Sequence, residues 1–122
     1  MTTPSATLVR LCATGDLPSL QNFFDTLLAT IGAQGHLHPA YDALDRALCS
    51  GLAARYGTKP EPGRAQIAAE LVLTTLGPSS RVRAAVRRAA AGDPRGLTSL
   101  VSAEERVLAF AATCAALDQA TN

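Results

Sequence analysis

The sequence has no tryptophan, a single methionine, and only two tyrosines and three phenylalanines among its 122 residues. Because aromatic side chains bury the largest area, a core without many of them must be built from Leu, Val and a large supply of Ala. Ala buries little surface, at roughly 25 cal/mol per Å², so the elements must pack closely. A thin core of this kind favours an additional interface, either to a second copy of the chain or to a partner.

Other absences exclude further classes. The cysteines Cys12, Cys49 and Cys114 are odd in number and widely spaced, without a Cys-x-x-Cys pair, which indicates reduced thiols that serve as small hydrophobic residues. No charged and then apolar leader opens the sequence, and no run of about eighteen apolar residues occurs. We therefore expect a cytoplasmic protein without a membrane segment. With 48% hydrophobic residues and a formal charge of +1, the chain is too apolar and too evenly charged for disorder.

The most informative pattern present is a phrase that occurs twice. Val-Arg-x-x-Ala-x-Gly-Asp-x-x-x-Leu spans 9–20 and again 86–97. Its Gly can adopt the left-handed conformation that ends a helix, and its Asp can accept hydrogen bonds from the first N–H groups of the next helix. Each copy, at Gly15-Asp16 and at Gly92-Asp93, therefore predicts a sharp corner between two helices.

Helical periodicity runs along the whole chain, and period-2 alternation is absent. We predict an all-α fold: a compact, irregular orthogonal bundle of about six to seven short helices in one domain, 1–122. A Pro- and Gly-rich linker, 58–63, separates a front half, 4–57, from a back half, 64–120.

The periodicity also predicts which helix faces are buried. A broad apolar face marks the helix that starts at Asp16 as central. A helix from about Ala65 to Leu76 carries Ile67, Leu71 and Thr74 on its apolar side. Two further stripes are predicted to face inward, one of Val82, Ala85, Val86 and Ala89, and one of Ala103, Val107, Phe110, Cys114 and Leu117.

Positive charge is concentrated in the back half. Arg81, Arg83, Arg87, Arg88 and Arg95 are five of the eleven basic residues, and no acidic residue lies between Glu70 and Asp93. On a helix, Arg83 and Arg87 fall on one flank of the apolar stripe and Arg81 and Arg88 on the other. Such a cluster suits an anion, either nucleic-acid phosphate or an acidic protein. A solvated helix whose Arg stems cover an Ala-rich surface is the other interpretation.

Segment 65–90 resembles a degenerate helix-turn-helix DNA reader. The resemblance rests on Gln66-Ile-Ala-Ala-Glu-Leu71 and on Leu76-Gly-Pro-Ser-Ser-Arg-Val-Arg-Ala-Ala-Val-Arg-Arg88. It implies that the second helix presents Arg81, Arg83 and Arg87 to the major groove. The small residue Ala69 lies eight positions before Gly77, whereas about four is usual in that family.

The sequence contains few residue patterns that indicate catalysis or the binding of a metal or cofactor. We find no catalytic triad order, no phosphate-binding loop and no convincing metal ligand set, so we predict no catalytic, cofactor-binding or metal-binding residues. His36 and His38 are the only histidines and share one loop; a metal would need Asp42, Asp45 or Cys49 to converge on them.

From these observations we expect a small non-enzymatic interaction module, a regulator, adaptor or inhibitor. It would bind a protein partner through Arg83, Arg87 and Arg88, with Arg81 and Arg95 at the edges, as a monomer or homodimer. Nucleic-acid binding through the same helix is the alternative. A third hypothesis is a small-ligand carrier or enzyme, with a pocket between the Phe23, Phe24, Leu27 face and the helix of Tyr41 and Tyr56.

Overall fold

The computed structural model describes residues 18–19, 22–23, 25–26, 29, 39–58 and 60–121. All of the described residues between 18 and 29 are helical. Beyond them, the described residues form five helices and no strand, which confirms the all-α class. These are α1 (Pro39–Gly57), α2 (Pro62–Leu76), α3 (Ser80–Ala90), α4 (Arg95–Thr98) and α5 (Ala103–Thr121). The predicted count of six to seven applies to the whole chain; the helix predicted to start at Asp16 and the corner at Gly15-Asp16 fall largely outside the described part.

The C-terminal helix α5 lies at the centre of the described bundle. It packs against α1, α2, α3 and α4, and an unbroken run of its residues, 109–117, is buried. Its predicted inner stripe is confirmed: Ala103, Val107, Phe110, Cys114 and Leu117 are all buried. Because most of the other buried side chains of α5 are Ala, the surrounding helices can approach its axis closely.

Helix ends follow the local sequence signals. Pro39 and Pro62 begin α1 and α2, as suits a residue without an N–H in the first turn. The Ser79 hydroxyl caps α3 by accepting a hydrogen bond from the N–H of Val82. The Ser102 hydroxyl caps α5 by accepting a hydrogen bond from the N–H of Glu105, which is one half of a capping box. The Glu105 carboxylate turns instead towards α3.

The second Gly-Asp corner forms as predicted. Gly92 has φ of 109°, in the region that disfavours side chains. Its N–H donates to the carbonyl of Ala89, and the N–H of Asp93 donates to the carbonyl of Arg88, the two bonds of a Schellman motif. The Asp93 carboxylate then accepts the N–H of Arg95 at the start of α4. One glycine and one aspartate thus turn the chain from α3 into α4.

The predicted orientation of α2 is wrong. Ile67 and Leu71 are 66% and 58% exposed, and Thr74 is exposed as well. The buried face of α2 instead consists of Ala65, Ala68, Ala69, Val72 and Leu73. Hydropathy ranks Ile above Ala, but the three alanines of this face let α2 pack closely on the Ala-rich surface of α5, with Val72 and Leu73 buried beside them. Close packing therefore selected the Ala face and left two large aliphatic residues in solvent.

A charged contact fastens α1 to α5. Arg55 donates from Nε and Nη2 to the two carboxylate oxygens of Asp118, at 2.7 and 2.9 Å. Its Nη1 donates to the carbonyl of Gly51 at 2.8 Å. A Cβ at Gly51 would lie 2.7 Å from that Nη1, so the glycine makes room for the guanidinium. Nearby, the Tyr56 hydroxyl donates to the carbonyl of Ala89 and joins α1 to α3.

Candidate functional site

The arginine cluster lies along α3, on the two flanks of its buried stripe. Val82, Ala85, Val86 and Ala89 are buried, as predicted. Arg83 and Arg87 lie on the flank towards α2, where they contact Pro78 and Glu70. Arg81 and Arg88 lie on the opposite flank. Helical spacing alone therefore placed these four guanidinium groups on the correct sides.

On the α2 flank, Arg87 forms a two-point contact with Glu70. Its Nε and Nη2 donate to the two carboxylate oxygens at 2.6 and 3.1 Å. The hydrogen bond from Arg87 lowers the pKa of Glu70, and the carboxylate in turn raises the pKa of Arg87. About half of each side chain remains exposed. Arg83 instead donates from Nε to the carbonyl of Pro78 at 3.2 Å.

On the opposite flank, two carboxylates meet three arginines. Asp93 accepts from Arg88 at 2.9 Å and from Arg95 at 2.9 and 3.1 Å. These hydrogen bonds hold the pKa of Asp93 well below its ordinary value, and the one from Arg95 has the largest effect. Arg81 reaches Glu105 at 3.5 Å and is 78% exposed. Four of the five arginines thus contact a carboxylate.

The acidic partners Glu70, Asp93 and Glu105 are the residues that sequence reasoning missed. The absence of acids between Glu70 and Asp93 in the sequence indicated an unbalanced basic helix. The fold brings Glu70 from α2, Glu105 from α5 and Asp93 from the corner onto the flanks of α3. Five guanidinium groups therefore face three carboxylates, which leaves a modest cationic excess.

Two exposed aliphatic side chains adjoin the α2 flank. A cleft of about 590 Å³ between α2 and α3 is bordered by Gln66, Ile67, Glu70 and Arg87. A second cleft, of about 260 Å³, lies on the other side of Ile67 and is bordered by Arg64 and Leu71. Ile67 and Leu71 are one helical turn apart, so they form a single apolar pair with Arg64 on one side and Arg87 on the other. We call Ile67, Leu71, Arg83 and Arg87 the α2–α3 surface.

The segment that resembles a helix-turn-helix forms two helices joined by a short turn. α2 ends at Leu76, Gly77 adopts the left-handed conformation with φ of 59°, and α3 begins at Ser80. The connection of three residues is typical of a helix-turn-helix. At the N-terminal end of α3, where such a reader contacts bases, Arg81 is largely exposed while it reaches Glu105, whereas Arg83 donates a hydrogen bond to the turn.

The described chain holds an apolar cavity of about 310 Å³ between α1, α4 and α5. Leu52 and Phe110 form its floor, and Tyr56 borders it. The third hypothesis placed a pocket against the helix of Tyr41 and Tyr56. Tyr56 does border this cavity, but Tyr41 is buried in the core, and the opposite wall belongs to α4 and α5. Phe24 and Leu27 lie outside the described residues.

A second polar cluster joins the start of α1 to the rest of the bundle. Arg106 donates from Nη1 to the Tyr41 hydroxyl at 3.4 Å and from Nη2 to the carbonyl of Thr98 at 3.0 Å. Its Nε lies 4.0 Å from Asp45 Oδ1, and both atoms are buried without a hydrogen bond. The hydrogen bond to Tyr41 raises the pKa of Arg106. This cluster connects helices, and its guanidinium is held as a cation.

Comparison with known proteins finds no matching family model, no similar curated protein and no similar solved structure.

The remaining sequence predictions are only partly covered by the described residues. His36 and His38 lie outside them. Among the residues that the structure does describe, no three His, Cys, Asp or Glu side chains are grouped so that they could hold a metal ion. Within the same part of the chain, no helix is long and apolar enough to cross a membrane.

Proposed function

We propose that this protein is a small non-enzymatic interaction module, a regulator, adaptor or inhibitor, and that it binds another protein through the α2–α3 surface. The observation that carries the proposal is the position of two large exposed aliphatic side chains one helical turn apart, Ile67 and Leu71, of which Ile67 borders the same cleft as Arg87. Arginine is enriched at binding hot spots because its planar group pairs with carboxylates at two points. An apolar pair with arginine at its border is the composition expected of such a contact.

The ion pair between Arg87 and Glu70 is one that a carboxylate of a partner can replace. Both side chains are about half exposed, and ion pairs at such exposed positions contribute little to stability. A carboxylate on a partner can therefore displace Glu70 from Arg87 at little cost. Arg83, which is bonded to a backbone carbonyl, has capacity for a further acceptor.

The chemistry of the surface also specifies the partner. Ile67 and Leu71 would contact two apolar side chains of the partner that lie one helical turn apart. The arginines that border them would pair with acidic residues of the partner beside those side chains. We therefore propose an acidic, amphipathic segment as the binding partner. We propose Arg88, on the opposite flank of α3, as a further contact for the partner, with Arg81 and Arg95 at the edges.

Charge reversal and apolar removal test this proposal independently. We expect both Arg83→Glu/Arg87→Glu and Ile67→Ser/Leu71→Ser to abolish partner capture, measured by quantitative mass spectrometry of proteins that co-purify with the intact chain. Arg46→Glu on the exposed side of α1 is the control and should leave capture unchanged. Circular dichroism checks that all three variants remain helical. Capture that survives both surface variants would refute the proposal.

Nucleic-acid binding is the second candidate, and the three-residue turn between α2 and α3 with the exposed Arg81 after it favours it. Against it, four of the five arginines already contact carboxylates and the chain carries a formal charge of only +1. Fluorescence anisotropy of labelled duplex and single-stranded DNA and RNA distinguishes the two. Binding that weakens steeply with salt and disappears in Arg83→Glu/Arg87→Glu would make nucleic acid the partner.

We further propose that residues 1–122 form one irregular orthogonal bundle, with a monomer or homodimer in the cytoplasm as the working unit. The thin Ala-rich core and the exposed aliphatic pair support binding of a second copy of the chain as readily as binding of a different protein. Light scattering coupled to size-exclusion chromatography measures the oligomeric state directly. Loss of a dimer in Ile67→Ser/Leu71→Ser would assign the α2–α3 surface to self-association.

A further inference from the structure

The apolar cavity between α1, α4 and α5 has a buried floor and walls from three elements, and it is open to solvent on one side. Leu52 and Phe110, which are 3% and 2% exposed, form the floor. Cys49 and Ala53 on α1 and Thr98 at the end of α4 form parts of the walls. α4 has only four residues and packs on α3 and α5. Its short length leaves space between α4 and α1.

The polar groups at the border of this cavity already have partners. The Tyr56 hydroxyl donates to the carbonyl of Ala89, and the Thr98 hydroxyl donates to the carbonyl of Arg95. The guanidinium of Arg95 is held by Asp93. A polar or charged occupant in contact with the apolar floor would lose its hydration, because Leu52 and Phe110 offer it no hydrogen bond there. The floor of the cavity consequently selects against charge.

The thiol of Cys49 adds to this apolar character. Burial is the main cause that raises the pKa of Cys49, and the Asp45 carboxylate raises it further. The group therefore remains a neutral, polarizable thiol at neutral pH, which packs against apolar surfaces. It is also exposed enough to react with an added reagent, so it can report whether the cavity is filled.

We propose that this cavity binds one small, uncharged, apolar molecule of about the size of two fused aromatic rings. An engineered apolar cavity of about 150 Å³ binds benzene, and this one, at about 310 Å³, has twice that volume. Small-molecule sites usually begin at about 300 Å³ and are lined mainly by apolar and aromatic side chains. None of the four residues that define the α2–α3 surface borders this cavity, although Arg95 at the edge of the proposed partner contact does, and neither proposal depends on the other.

The test uses the uncharged dye N-phenyl-1-naphthylamine, whose fluorescence rises in apolar sites, with the intact chain. Since the chain has no tryptophan, protein emission interferes little. We expect saturable binding of one dye per chain, displaced by naphthalene. Ala53→Phe places a ring in the cavity and should weaken binding by at least about tenfold. Ala54→Phe is the matched control, because Ala54 is exposed on the same helix and does not border the cavity; it should leave binding unchanged.

A second measurement locates the dye. In a Cys12→Ser background, saturating naphthalene should slow the reaction of Cys49 with a disulfide reagent, while Cys114 stays buried and unreactive. Three results would each overturn the proposal: no saturable dye binding, equal binding by Ala53→Phe and Ala54→Phe, or unchanged Cys49 reactivity at saturation. Circular dichroism verifies that every variant keeps its helices.

Discussion

The substitution Gly51→Ala tests how α1 is held on α5. In an ordinary helix interior, Ala is more stable than Gly by about 1 kcal/mol. Here the added Cβ would lie 2.7 Å from Nη1 of Arg55, and the guanidinium would have to move away from Asp118. The gain in helix propensity is therefore opposed by damage to the contact between the two helices.

The size of that damage follows from the geometry of the pair. Arg55 and Asp118 are only 12% and 15% exposed and share two hydrogen bonds of 2.7 and 2.9 Å. Breaking a buried pair by removing one partner costs about 3–5 kcal/mol, and the residual exposure reduces that cost, so we expect Asp118→Asn to lower the free energy of unfolding by about 2–3 kcal/mol. For Gly51→Ala, partial loss of the pair minus the propensity gain leaves a net destabilisation of about 1 kcal/mol.

A double-mutant cycle separates the two effects. Thermal and urea unfolding followed by far-ultraviolet circular dichroism resolve such differences, since 1 kcal/mol shifts Tm by about 4 °C for a domain of this size. In the Asp118→Asn background the ionic contact is already lost, so Gly51→Ala has less of it to disturb and should become neutral or stabilising by up to about 1 kcal/mol. If Gly51→Ala stabilised the wild type and the Asp118→Asn variant equally, the explanation of this glycine would be refuted.

Two further predictions concern the corner and the tyrosine contact. Gly92→Ala should lower the free energy of unfolding by about 1–2 kcal/mol because φ is 109° there. Gly63→Ala, at a helical position with open space, should be neutral or slightly stabilising in the same denaturation assay. Equal effects of the two substitutions would contradict the role given to Gly92 in the corner. Burial raises the pKa of Tyr56 to about 12, so the stabilisation present below the unfolded pKa of about 10 should be lost as pH rises from 10 towards 12. Tyr56→Phe should flatten that decline in unfolding free energy, and an unchanged slope would exclude Tyr56 as its cause.

Local features of the fold were predictable wherever neighbouring residues decide the structure. The Gly92 corner and the inner stripe of α5 each depend on hydrogen bonds or periodicity within a few residues. The division of the α3 arginines into two flanks followed for the same reason, because helical geometry fixes the angular position of each side chain.

Predictions that required knowledge of a neighbouring helix were incomplete or wrong. Ile67 and Leu71 were assigned to the buried side of α2 because hydropathy ranks single residues and contains no information on how closely α5 approaches. The roles of Gly51 and Asp118 were hidden for a related reason, since the two residues are far apart in the chain and meet only through Arg55.

By itself the sequence determined the helical class, the helix ends and the faces of α3 and α5, because these depend on backbone geometry and on residues one or two turns apart. Only the tertiary structure decided which carboxylates meet the arginines, which face of α2 is exposed and where the apolar cavity lies. Those features arise from the packing of Ala-rich helices at short distance, where the shapes of two surfaces together select the contact.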